Sequence, residues 1–211
     1  MIEFAAFRGA VAQLGERRVR NAKVEGSIPF RSTISFLALL RSCRAARMID
    51  VEHSRTIDLP ADVVWEEVRH FDRVLLWVPG GERSRISVRG SGVGAIRDIE
   101  LATQGYVQHR LVAYDDTARS FSYELSAGQP IGMQSYVVVA TVTPLDDAHC
   151  RLRWAGRMSA DASLDDAVVG RALEVALGNM TTGIIARLKG ERPQFIEQPN
   201  EAWQLERRPR S

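Results

Sequence analysis

Cysteine is scarce in this chain. Only Cys43 and Cys150 occur among 211 residues, so neither a disulfide framework nor a cysteine-rich zinc site can be assembled. His53, His70, His109 and His149 show no metal-ligand spacing, and no His-Glu-x-x-His is present. No apolar run approaches the roughly 20 residues of a membrane span. The one glycine-rich stretch, Gly90-Ser91-Gly92-Val93-Gly94, lacks a Gly-Lys-Ser/Thr ending and lies between strands. Phosphate cradling needs a strand-to-helix turn, so this stretch reads as a hairpin. No Ser–His–Asp order stands out, and long repeats are absent. Neither a cofactor nor a metal is expected. Lysine is nearly missing as well: Lys23 and Lys189 are the only two among 28 basic residues, a mark of GC-rich coding rather than of function.

Apolar residues make up 45% of the chain, enough for a packed core and too many for wholesale disorder. The net charge of +2 is a sum of two unlike parts. Residues 1–47 hold nine Arg/Lys against three Asp/Glu, and the rest hold nineteen against twenty-three. The body is therefore mildly acidic, which argues against a nucleic-acid-binding surface. A cytoplasmic protein without stable membrane insertion is expected.

The basic leader, residues 1–47, reads as spurious or disordered. Back-translation of Val11-Ala12-Gln13-Leu14-Gly15-Glu16-Arg17 allows a sequence resembling a tRNA D-arm, and Gly26-Ser27-Ile28-Pro29 allows a T-arm fifteen codons on. The alternatives are a signal peptide and a basic amphipathic anchor. The apolar run Ile34 to Leu40 is short, begins far from Met1, and is followed by Arg41, Arg44 and Arg47 where small residues should mark a cleavage site. On this reading the native start is Met48, and the leader stays out of fold reasoning.

The body opens with a strand over Val51 to Asp58. Pro60 suits a helix start, with Asp62, Glu66 and Glu67 in its N-terminal half and Val64, Val68 and Phe71 as a buried stripe. A short helix or turn is expected over Asp72 to Pro79. Six alternating segments follow: Arg83 to Arg89, Gly94 to Leu101, Tyr106 to Tyr114, Ser120 to Ser126, Gln134 to Thr143 and Cys150 to Met158. Their regular spacing with turn signals predicts an antiparallel meander. Leu164 to Leu188 is a long helix, with Val169, Leu173, Ala176, Met180, Ile184 and Leu188 as its apolar stripe. Ser163 is its expected N-cap and Gly190 its C′ residue. Residues 191–211 read as a flexible tail. The fold class is α+β: a curved sheet of about seven strands around a long C-terminal helix, with two short helices after strand one.

The order of these segments, with the residues at their junctions, resembles the helix-grip fold of the START / Bet v 1-like (SRPBCC) superfamily, and within it the polyketide cyclase/dehydrase group. The resemblance rests on Pro60-Ala61-Asp62-Val63-Val64-Trp65, Phe71-Asp72, Trp77-Val78-Pro79 and Gly92-Val93-Gly94-Ala95-Ile96-Arg97. It continues through Arg110-Leu111, Tyr114-Asp115-Asp116, Phe121-Ser122-Tyr123-Glu124-Leu125, Pro130, Tyr136 and Trp154-x-Gly156. It covers residues 49–189 and implies a cavity for a hydrophobic or amphiphilic small molecule. It does not imply one reaction.

Alternation then predicts which polar side chains face that cavity. Arg97 goes with Ile99 and Leu101, His109 with Leu111 and Ala113, Tyr123 with Phe121 and Leu125. Tyr136 goes with Val138 and Val142, and Trp154 with Leu152 and Met158. Ligand contacts are expected from Trp65, Trp77, Arg97, Leu111, Tyr123, Tyr136, Trp154, Met180 and Ile184. As catalytic candidates, Arg97 offers a fork of donors to an oxyanion, His109 a group to accept and return a proton, and Tyr123 a donor to a carbonyl. The resembled family commonly has Glu where His109 stands. Three functions follow: a carrier or sensor of a lipid, polyketide or quinone-like molecule; a polyketide cyclase/dehydratase; or a partner-binding accessory protein. A homodimer is one expectation for assembly.

Overall fold

The computed structural model describes residues 48–102 and 105–197. The leader expected over 1–47 and the tail beyond 197 lie outside the described residues. Seven strands form one antiparallel sheet: β1 (Met48–Ile57), β2 (Arg85–Arg89), β3 (Ile96–Leu101), β4 (Gly105–Asp115), β5 (Ser120–Gly128), β6 (Met133–Pro144) and β7 (Cys150–Ala160). Their order is β1-β7-β6-β5-β4-β3-β2. Six strands thus follow as a meander, and β1 closes the far side by pairing with β7 from Met48↔Ser159 to Ile57↔Cys150. Bulges between Gln108 and His109 and between Leu111 and Ala113 interrupt the β4–β5 ladder. Each inserts a residue and bends the strand, which curves the sheet.

Two α-helices complete the helix-grip architecture: α1 (Ala61–Val68) and α2 (Asp166–Lys189). The expected second short helix is a 3-10 turn at Val74–Leu76, with another at Gly81–Arg83. Helix α2 has 24 residues, about 36 Å at 1.5 Å per residue, long enough to cross the sheet. Its N-cap is Asp165, not Ser163: the Asp165 carboxylate accepts from the Ala167 N–H at 2.7 Å, while Ser163 is held by Asp161. Gly190 ends the helix in the left-handed conformation at φ 67°. No helix among the described residues is long and apolar enough to cross a membrane.

The core lies between the inner sheet face and α2. Val138, Ala140, Leu152, Trp154 and Met158 supply the sheet side; Val169, Leu173, Leu177 and Ile184 supply the helix side. Cys150 is fully enclosed, and burial pushes its thiol up to about 11, so it packs as an apolar residue. Alternation fails at one expected position. Ala113 is exposed, because the bulge after Leu111 shifts the register there.

Three contacts fix α2 beyond this core. The buried Glu67 carboxylate accepts from the Trp77 indole N–H at 2.8 Å and from Arg73 at 3.3 Å, and forms an ion pair with Arg187 of α2 at 2.8 Å. Gly183 lies against the Trp77 backbone, where a Cβ would overlap the carbonyl. Asn179, 1% exposed, donates to the Ile196 carbonyl and accepts from the Ile196 N–H, both at 2.8 Å. Residues 191–197 carry no helix or strand, and this amide clasp holds them to α2.

Candidate functional site

An interior cavity of about 110 Å³ opens between α2 and strands β3 to β6. The strands contribute Arg97, Ile99 and Leu101 from β3, Val107 and His109 from β4, Tyr123 from β5, and Met133 and Tyr136 from β6. Helix α2 contributes Leu173, Ala176 and Met180. Val74, Leu75 and Val78 line it from the segment after α1, and Pro130 and Ile131 from the β5–β6 turn. Ile131 has φ 57° and ψ 29°, a left-handed conformation that is costly for a β-branched residue. The strained residue therefore sits on the cavity wall itself.

The polar groups form one connected chain across the strands. Arg97 and His109 are direct cross-strand partners on β3 and β4. Arg97 Nε donates to His109 Nδ1 at 2.9 Å, and Arg97 Nη1 donates to the Phe71 carbonyl at 2.9 Å. His109 Nε2 bonds the Tyr136 hydroxyl on β6. Arginine has no acceptor, so His109 Nδ1 must accept and its proton must reside on Nε2. Nε2–H therefore donates to the Tyr136 oxygen, and the Tyr136 O–H hydrogen is left for another acceptor.

Burial sets the electrostatics. Arg97 is 1% and His109 6% exposed. Burial, aided by the Arg97 charge, holds His109 well below the usual imidazole range, so the ring is neutral. Burial also draws Arg97 down from its ordinary value, with Tyr123 and Tyr136 pulling the other way; the guanidinium remains charged. Burial raises both phenols above their usual value, Tyr136 strongly, so both are neutral donors. The Arg97 guanidinium carbon lies 4.3 Å from the Phe71 ring centroid and 4.7 Å from that of Tyr123, within cation–π range of both. No carboxylate among the described residues pairs with Arg97.

Four of the expected ligand contacts, Arg97, Tyr123, Tyr136 and Met180, line this cavity together, and His109 joins them. Trp65, Trp77, Leu111, Trp154 and Ile184 are buried but line no part of it. Each of the three indoles is tied elsewhere: Trp65 to Asp116 at 2.7 Å, Trp77 to Glu67, and Trp154 to Thr181 at 3.0 Å. Sequence reasoning missed the wall built by Val74, Leu75, Val78, Pro130 and Ile131. Those residues lie in turns, where no period marks the inward face.

Residues 48–191 match the family model described as polyketide cyclase / dehydrase and lipid transport. No curated protein matches the chain in sequence. Among solved structures, an uncharacterized protein from Bacillus thuringiensis is 16% identical with a TM-score of 0.58, covering 67% of this chain and 99% of its own. Norcoclaurine synthase from Thalictrum flavum, in complex with dopamine and hydroxybenzaldehyde, is 14% identical with a TM-score of 0.57, covering 82% and 100%. The Zhui aromatase/cyclase from Streptomyces sp. R1128 is 17% identical with a TM-score of 0.53, covering 76% and 97%. At these identities the likeness is one of fold.

Proposed function

The chain belongs to the polyketide cyclase / dehydrase and lipid transport family over residues 48–191, and from that premise we propose that it binds a hydrophobic or amphiphilic small molecule as a cytoplasmic carrier or sensor. The observation that carries this reading is the combination of an apolar wall with one oriented donor chain, Arg97–His109–Tyr136. A few convergent polar groups in an apolar cavity orient a ligand while the wall supplies affinity. In this reading Arg97 and Tyr136 meet polar oxygens of the ligand. Both ring nitrogens of His109 are engaged, so its part is to hold Tyr136 rather than to take and return a proton.

Native mass spectrometry of the full chain, purified without detergent from a GC-rich bacterial host, tests the reading. The expected result is a reproducible bound mass that is lost on unfolding. Protein that stays bare across repeated preparations and ligand extracts would count against a carrier.

A cyclase or dehydratase is the second reading. It is favoured by the Tyr136 O–H and the Arg97 guanidinium lying in one buried cavity, where either can stabilise an enolate oxygen as charge develops. Tyr136→Phe separates the two: an enzyme loses turnover while keeping its ligand, and a carrier loses only affinity.

A further inference from the structure

The cavity is small, and its charge is uncompensated. A protein cavity of about 150 Å³ accepts benzene, so 110 Å³ is the scale of a single ring and not of a long chain or fused rings. Arg97 brings a full positive charge into this space while 1% exposed. Its neighbours cannot balance it. Phe71 offers a carbonyl, His109 is neutral, and Tyr123 and Tyr136 are protonated phenols. A buried charge without a partner is costly, and no carboxylate among the described residues supplies one. The Tyr136 oxygen already accepts from His109, so its O–H hydrogen also needs an acceptor. One anionic oxygen group on a ligand answers both demands. The remaining wall is apolar, with Ile99, Val107, Met133 and Met180 around the space for a ring.

We infer that the ligand is a one-ring monocarboxylate of about benzoate size, with one carboxylate oxygen toward Arg97 and the other toward Tyr136. This rests on the binding reading above and narrows it. Long-chain lipids and multi-ring polyketides fall outside the class.

The test uses the full chain labelled with ¹³C at its methionine methyls, since Met133 and Met180 line the cavity. Benzoate, benzyl alcohol and palmitate are titrated separately. Benzoate should shift both methyl signals saturably, benzyl alcohol should bind at least tenfold more weakly, and palmitate should neither shift them nor displace benzoate. Tyr136→Phe should weaken benzoate several-fold and benzyl alcohol by less. Arg97→Met, where the variant stays folded, should abolish the preference for benzoate. Equal binding of benzyl alcohol and benzoate overturns the charge assignment and leaves the cavity reading standing. Displacement of benzoate by palmitate overturns the size assignment in the same way. If no probe moves either methyl, the one-ring anion falls, and the binding reading is decided separately by the native mass spectrum.

Discussion

His109 decides how the site responds to acid. Its folded ring resists protonation because burial and the Arg97 charge both disfavour a second positive charge. The unfolded ring takes a proton near pH 6.5. Below that pH the unfolded state therefore binds more protons than the folded one, so stability falls as pH falls and is flat on this account above it. The slope from one such group reaches about 1.4 kcal/mol per pH unit. We predict that the thermal midpoint drops steadily between pH 6.5 and 5, and that His109→Phe makes this drop shallower although it lowers the midpoint at pH 7.5. A parallel drop in wild type and variant would show that His109 does not carry the effect. The inward orientation of this residue and its neighbours was legible in the sequence. Arg97, His109, Tyr123 and Tyr136 all stand on strands, where period two fixes the inward face. The sequence did not announce how far along the strand the cavity extends. Leu111 faces inward beside His109 yet lies past the cavity's end, as Ile184 does one turn beyond Met180. Nor does anything in the spacing of Glu67 distinguish a buried acceptor for Trp77 from a solvated helix acid.

At the scale of elements, the wall of the site depends on how closely α2 approaches the segment after α1. Gly183 permits that approach, since any side chain there meets the Trp77 carbonyl. The neighbouring Val74, Leu75 and Val78 line the cavity, so pushing this segment outward changes the site as well as the packing. Gly183→Ala should lose about 1–3 kcal/mol in urea unfolding, the usual range for overpacking, and should weaken ligand binding in step. Unchanged stability would mean that the Trp77 segment yields without cost. The helix itself was legible from its apolar repeat, its missing prolines and Gly190. Its start was displaced by two residues because Ser163 and Asp165 are both good caps, and only the Asp165 carboxylate reaches an open N–H. The segment from Asp72 to Pro79 was harder to read, since short 3-10 turns have no hydrophobic period.

At the scale of the whole molecule, the sheet register among the described residues begins at Met48, and the family match begins at the same residue. We propose that a chain starting at Met48 keeps the fold. Its thermal midpoint and its benzoate-induced methyl shifts should equal those of the full chain. A lower midpoint or lost binding would give residues 1–47 a structural part. The meander was legible because each strand is punctuated by Gly, Pro or Asp. The pairing of β1 with β7 joins the first and last strands, and no local pattern encodes a contact between residues 101 positions apart such as Glu52 and Arg153.

The clasp between Asn179 and Ile196 has a consequence for how this protein can drift in sequence. The amide meets only the backbone N–H and C=O of its partner, while Ile196 as a residue is 62% exposed. Position 196 can therefore hold any residue except proline without losing the attachment. Position 179 has no such freedom: aspartate lacks the donor, and leucine lacks both groups. Among homologues the anchor should stay asparagine while the residue it holds varies freely.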